Sequence, residues 1–361
     1  MSDRYRARQG AVRNQLAEVQ VEAFVVTTLS NIRWLTGFTG SAGMMLLTRD
    51  RCRLITDFRY AVQAPSEVGE AADVLVERTS VWGRLTELLE TGGWGRVGYE
   101  PHTLPARDAG RLKRAVGGAL VDGAEVVERL REVKDDGEIA LIRAAGALAI
   151  DALDEVVATV RPGDRELDVA ARLESALRSR GSEWHPFETI VATGDRSALP
   201  HARTSTKLLK GGDLLLIDFG AKVEGYCSDI TRTFVLGPAD DRQRTIHALV
   251  ARAQRVAREE IRAGMSGRTA DALARDIIVQ GGHGDAFGHS LGHGIGLEVH
   301  EGPRLAATVD RPIPAGAVVT VEPGIYLPGW GGVRLEDDVW LSGEGPVLLT
   351  DGQTDLIELD F

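Results

Sequence analysis

The feature that most constrains this chain is a weak internal repeat in its C-terminal part, with a period of about one hundred residues. Gly212-Asp-Leu-Leu-Leu-Ile-Asp218-Phe-Gly220 aligns without gaps on Gly316-Ala-Val-Val-Thr-Val-Glu322-Pro-Gly324. Each copy is a short apolar run, read as a buried strand, that ends in a carboxylate ahead of a glycine. The punctuation repeats as well. Arg161-Pro-Gly163 precedes one helical pattern and Arg262-Ala-Gly264 precedes another, and the patterns stop at Gly181 and at Gly281 with Gly282. A second strand follows each run, carrying Asp229 in the first copy and Glu336 in the second. A single acid before a glycine turn is ordinary turn chemistry. Four acids in matched pairs are not explained that way: two halves related by such a repeat face each other across a pseudo-twofold axis, and their acids converge there.

The 361 residues exceed the range over which one hydrophobic core keeps growing, so two domains are expected. Ahead of the repeat, Phe24 to Val26, Met44 to Leu47 and Arg53 to Asp57 read as strands, with Asn31 to Gly43 taken as further strand separated by glycine turns. Trp82 to Leu89 and Ala106 to Ala115 carry helical spacing and Arg96 to Tyr99 is strand-like, an α/β alternation that closes near Val121. Val126 to Val160 is read as one helix that opens the second domain and ends at Arg161-Pro-Gly163. The expected domains are residues 1–122 and 123–361.

Apolar residues at 43% and charged residues at 26% are ordinary globular values, and a formal net charge of -11 argues against nucleic acid as a partner. Cys52 and Cys227 form no CxxC pair, so neither a disulfide framework nor a thiolate metal site is expected. The polar, arginine-rich stretch from Met1 to Gly10 does not read as a secretory signal, and no apolar run has transmembrane length. A cytoplasmic protein with no membrane partner is therefore expected.

The acids carry the chemistry. The segment between Asp218 and Asp229 reads as a turn joining two antiparallel strands, which sets the two carboxylates opposite each other on one sheet face. Two carboxylates that close stay ionised only beside a cation or a shared proton. Arg334 and Glu336, two residues apart, share one strand face, and His293 lies in a glycine-rich stretch where the backbone can approach what the imidazole binds. Four carboxylates and one imidazole bring four negative charges, which two divalent ions neutralise. Oxygen-rich ligation suits harder ions, manganese first, with cobalt or zinc as substitutes. A pair of ions bridged by hydroxide makes amide hydrolysis feasible at neutral pH without a serine or cysteine nucleophile.

Three motifs carry a resemblance. Leu199-Pro-His201 through Asp218-Phe-Gly220 and Tyr226-Cys-Ser-Asp229-Ile-Thr-Arg-Thr-Phe-Val-Leu-Gly237 is similar to the first metal hairpin of the pita-bread metallopeptidases, in their prolidase and aminopeptidase P branch. His289-Ser-Leu-Gly-His293-Gly-Ile-Gly-Leu-Glu-Val-His300-Glu-Gly-Pro303 resembles that branch's proline-peptidase signature. Glu322-Pro-Gly-Ile-Tyr326 and Arg334-Leu-Glu336 resemble its last two ligand strands, while Asn31 to Gly43 and Thr56 to Tyr60 are similar to its partner domain. The resemblance implies an α+β chain: a creatinase-type α/β N-terminal domain, then a pita-bread catalytic domain of two pseudo-symmetric halves with helices packed on a curved antiparallel sheet.

By the same resemblance Asp218, Asp229, His293, Glu322 and Glu336 are the metal ligands, with Asp229 and Glu336 bridging the two ions. His201, His289 and His300 line the substrate pocket, the last two facing the peptide carbonyl or the oxyanion formed from it. Arg334 orients a bridging carboxylate, and Glu322 also shuttles a proton to the leaving proline nitrogen. Tyr326 either reaches the site or packs beside Pro323. The implied activity is hydrolysis of the bond before proline in short Xaa-Pro peptides, by a homodimer. Arg304, placed to pair with a proline carboxylate, tilts the reading to an Xaa-Pro dipeptidase over an aminopeptidase P. A creatinase-like hydrolase or a non-catalytic peptide-binding module would usually have lost ligands.

Overall fold

Short apolar runs in the first part of the chain condense into a six-stranded mixed sheet. The computed structural model describes residues 2–123 and 125–360 and divides into two compact units, Met1–Arg131 and Glu132–Phe361. In the first unit the strands lie in the order Asp73–Glu77, Cys52–Asp57, Gly43–Thr48, Ala23–Val26, Arg96–Tyr99, Ala119–Asp122. Ala23–Val26 is buried throughout, antiparallel to Gly43–Thr48 and parallel to Arg96–Tyr99. A strand covered on both faces needs an unbroken apolar run, which Ala-Phe-Val-Val supplies. Helices Val81–Gly92 and Ala106–Ala115 bring Leu85, Leu89 and Leu112 into one core with Val25, Leu46, Ile55 and Val97.

One segment of this unit departs from expectation, and a second is a helix that no apolar pattern announces. Leu29–Thr36, read as strand and glycine turn, is a helix with Ile32, Leu35 and Thr36 buried at helical spacing, so the packing of that face outweighs the glycines downstream. Ser2–Glu18 is also helical. Its buried residues Arg8, Gln9, Val12 and Leu16 mix polar with apolar, and Arg8 and Gln9 donate to the carbonyls of Trp34 and Leu35. Hydrogen bonds dock the helix where an apolar stripe would normally announce it.

In the second unit the sequence repeat becomes a structural one. Helices Asp136–Val157 and Glu166–Ser179 precede strands Ile190–Thr193, Leu214–Phe219 and Ile230–Leu236, which are neighbours in that order and antiparallel. Helices Asp241–Glu260 and Gly267–Gln280 precede Gly292–Gly294, Val318–Val321 and Asp337–Ser342, again neighbours in sequence order and antiparallel. Two cores form, one with Leu173, Leu215, Ile217 and Phe219 of the first half and one with Val250, Ala274, Val319 and Val339 of the second, and Leu214 and Val235 of the first half pack into the latter. A bridge between Thr231 and Glu336 links the two halves. The α+β class expected from the sequence is the class observed.

The single helix expected over Val126 to Val160 is two helices, Val126–Arg131 and Asp136–Val157, the first belonging to the first unit. Asp135 starts the longer one: its carboxylate accepts from the Glu138 N–H at 3.0 Å and Glu138 accepts from the Asp135 N–H at 3.0 Å. This reciprocal cap satisfies N–H groups that a continuous helix would have paired internally, and it fixes a start in mid-pattern. The register of the acid hairpin also differs. Asp218 pairs with Thr231, and a small hairpin of Lys222–Val223 with Tyr226–Cys227 fills the turn. Asp229 lies two residues before Thr231, so the two acids are diagonal neighbours. Among the described residues no helix is long and apolar enough to cross a membrane.

Candidate metal centre

Every acid of the constellation stands at a strand end. Asp218 is in Leu214–Phe219, Asp229 immediately precedes Ile230–Leu236, Glu322 follows Val318–Val321, Glu336 precedes Asp337–Ser342, and His293 is the middle of Gly292–Gly294. Asp229, His293 and Glu336 each offer a ligand atom, all within 4.8 Å of one another. His293 Nε2 is 3.5 Å from Glu322 Oε1 and 3.9 Å from Asp229 Oδ2. Its Nδ1 faces the Gly294 carbonyl at 3.0 Å, which assigns the proton to Nδ1 and leaves the Nε2 lone pair toward the acids.

The electrostatics call for a cation. Burial, then the charges of Glu336 and Asp218, pushes the Asp229 carboxyl well above its ordinary range. Burial and Asp218 raise Glu336 to about 8, and burial and Glu336 raise Glu322. Asp218 is raised by burial as well, against the opposing pull of Arg334. Asp218 Oδ1 and Asp229 Oδ1 are buried with no hydrogen-bond partner among the described residues. Buried anionic oxygens without donors cost several kcal/mol unless a cation meets them, on the order of 2–7 kcal/mol even for a neutral polar group. Burial holds His293 down near 4, so its imidazole is neutral and free to ligate. The residues present therefore fit divalent metal.

Arg334, 3% exposed, ties the cluster together. Its Nη2 donates to Asp218 Oδ2 at 2.5 Å, its Nε to Thr231 Oγ1 at 3.0 Å, and its Nη1 to the Tyr326 hydroxyl at 2.9 Å and the Pro200 carbonyl at 3.2 Å. Thr231 Oγ1 in turn donates a hydrogen bond to Glu336 Oε2 at 2.6 Å. Tyr326 is buried, and its hydroxyl lies between Arg334 and His289 Nε2, 2.9 Å from each. His289 Nδ1 meets the Ser290 carbonyl at 2.8 Å, so both ring nitrogens are engaged. Burial pulls this ring down to about 4.

His300 is exposed along one side, its ring 4.3 Å from that of His293, and partial desolvation of the ring followed by the charge of His201 lowers its pKa. His201 and Arg304 are exposed, and both stand close enough to depress this imidazole. His247, outside the motifs, is buried in Asp241–Glu260.

The supports beneath the acids lie outside the site residues expected from the sequence. Arg232 donates to the Glu336 and Thr231 carbonyls and to Asp337 Oδ1 at 2.7 Å, while Gln254, Arg258 and Thr350 also converge on the Asp337 carboxylate. Asp338 Oδ2 accepts from the Asp229 N–H at 3.1 Å. The available signal was charge at 232, 337 and 338 inside otherwise apolar strands. Arg232→Leu is expected to cost about 3 kcal/mol, because it leaves the buried Asp337 carboxylate with Arg258 as its one remaining charged partner and frees the Glu336 and Thr231 carbonyls of a donor. A lower urea midpoint at unchanged slope checks this.

Residues 140–342 match metallopeptidase family M24, and residues 8–133 match the creatinase/prolidase N-terminal domain. The chain belongs to metallopeptidase family M24. This M24 chain is 35% identical over 342 residues to a Pyrococcus horikoshii protein named Xaa-Pro dipeptidase, covering 93% of this chain and 95% of that one. It superposes on an Xaa-Pro dipeptidase from Bacillus anthracis with a TM-score of 0.95 at 38% identity, covering 98% of this chain and 100% of that one. An X-Pro aminopeptidase from Thermotoga maritima matches with a TM-score of 0.87 at 38% identity, over 93% and 97% of the two chains. As an M24 peptidase it is a hydrolase that depends on a divalent-metal pair.

Proposed function

We propose that this M24 peptidase is an Xaa-Pro dipeptidase. The observation that carries the reading is the convergence of acids from both halves on the His293 imidazole, with exposed Arg304 beside it. Relatives named Xaa-Pro dipeptidase over nearly the whole chain support the substrate. Asp218, Asp229, His293, Glu322 and Glu336 would hold two ions, Asp229 and Glu336 contributing to both, with manganese preferred by the oxygen-rich donor set and cobalt or zinc as substitutes. When bound, the ions supply Lewis acidity and lower the pKa of water toward neutrality.

The remaining chemistry belongs to the chain. Glu322 takes a proton from the attacking water and delivers it to the leaving proline nitrogen, which has no hydrogen of its own. His300 meets the scissile carbonyl, since Tyr326 and Ser290 pin His289 as a neighbouring wall. Arg334 and Thr231 hold Asp218 and Glu336 in place. Arg304 pairs with the proline carboxylate and His201 closes the rim. The enzyme works as a cytoplasmic homodimer. Turnover of an Xaa-Pro dipeptide at least about tenfold faster than of an Xaa-Pro-Yaa tripeptide, lost on chelation and restored by manganese, is the expected result. Preference for the tripeptide would favour an Xaa-Pro aminopeptidase, and activity untouched by chelator would remove the metal reading.

A further inference from the structure

Between the helices Val126–Arg131 and Asp136–Val157, residues Glu132 to Lys134 form no regular element, yet the side chains of Glu132 and Lys134 are buried against the segment that carries His300, while Val133 is exposed. The Lys134 N–H donates to the Gly316 carbonyl at 3.0 Å, and the Glu132 carboxylate takes both terminal nitrogens of Arg311 at 2.6 Å each. Lys134 Nζ lies 3.5 Å from Glu301 Oε2, the two side chains 1% and 5% exposed. Glu301 Oε1 in turn accepts from the Glu298 N–H at 2.9 Å, closing the loop just before His300.

Two glycines of the histidine motif make room for this contact. A Cβ at Gly296 would stand 2.8 Å from Glu301 Oε1 and 3.1 Å from Lys134 Cε, and one at Gly302 would stand 2.2 Å from Glu132 Oε1. Desolvation offsets most of what a buried ion pair adds to stability, so its stronger effect is on direction. Successive side chains of an extended chain point to opposite sides. With Glu301 drawn inward to Lys134, the exposed His300 is turned outward beside His293.

We propose that the Lys134–Glu301 pair is a positioning device for His300, an inference that rests on His300 meeting the substrate carbonyl. Lys134→Met removes the ammonium at nearly constant volume. It is expected to lower kcat on an Ala-Pro dipeptide with manganese by about tenfold or more, since displacement of a reacting group by an ångström can cost about a hundredfold. KM and bound manganese stay near wild type. In a His300→Ala background the same substitution adds less than about a twofold change, because both act through one group. Should Lys134→Met not fold, Glu301→Gln, which keeps the shape and removes the charge, takes its place in the same comparison.

Unchanged kcat in the Lys134 or Glu301 variant overturns the proposal, and so do effects that multiply fully in the double variant. If His300→Ala alone keeps its kcat, the reading of His300 fails and the proposal with it, an outcome distinct from multiplying effects on a crippled His300→Ala.

Discussion

Asp229→Asn is expected to lower kcat/KM on an Xaa-Pro dipeptide by about a thousandfold, equivalent to about 4 kcal/mol, while raising the melting temperature of the metal-free protein. The two effects have one cause. Asp229 is buried among Glu336, Asp218 and Glu322, and each of those charges disfavours its ionised form. An amide keeps the shape and removes one of the repelling groups, so the metal-free fold gains about 1 kcal/mol, or a few degrees. Its backbone N–H remains bonded to Asp338. If Asp229 is the shared ligand proposed, the same amide is a poor substitute, and the metal pair loses a donor it needs. Activity with added manganese and thermal melts after chelation read the two halves of the expectation. A metal-free Asp229→Asn protein that melts below wild type would mean that the cluster is not under electrostatic load.

Stability of the metal-free enzyme is expected to fall as pH rises from about 5 to about 8, on the order of 4 kcal/mol from Glu336 alone. Glu336 sits at about 8 in the fold against an ordinary 4.5, raised by burial and then by Asp218. Between those values the folded chain holds a proton that the unfolded chain has released, so the folded state loses ground with every step upward in pH. Asp229 and Glu322 shift in the same direction and add to the slope. Added manganese is expected to reverse it: ligands must be deprotonated to bind a divalent ion, so the stabilisation from metal grows with pH. Urea midpoints at about pH 5 and pH 8, with chelator and with manganese, check the opposite signs. Parallel curves in the two conditions would separate the acids from the metal.

Much of the fold was legible because apolar runs and breakers act locally. Phe24 to Val26, Met44 to Leu47, Arg96 to Tyr99 and both acid-bearing strands are short apolar segments between turn residues, and they fold as strands. Leu29–Thr36 is a helix against the glycine-rich local sequence because burying Ile32 and Leu35 on one face outweighs the breakers downstream. Ser2–Glu18 carries little apolar pattern to read, since Arg8 and Gln9 dock it through carbonyls of a neighbouring helix. The helix break at Asp135 depends on a three-residue exchange of hydrogen bonds, legible in principle as Asp135-x-x-Glu138.

Within the site, the acids and histidines stood out because charge in an apolar strand has to be accounted for. Their supports did not. Nothing local says that Arg232 reaches Asp337 or that Thr231 bonds Glu336, contacts that span 105 residues of chain each. Tyr326 was open between site and packing; its hydroxyl proves to join Arg334 to His289.

By itself the sequence determined which side chains could ligate, where the strands would end, and that two similar halves were present, since composition and turn chemistry act over a few residues. Only the tertiary structure decided which charges meet, because the register within the first half that pairs Asp218 with Thr231, two residues beyond Asp229, and the bridge from Thr231 to Glu336 across the halves are set by packing and not by any local run of residues.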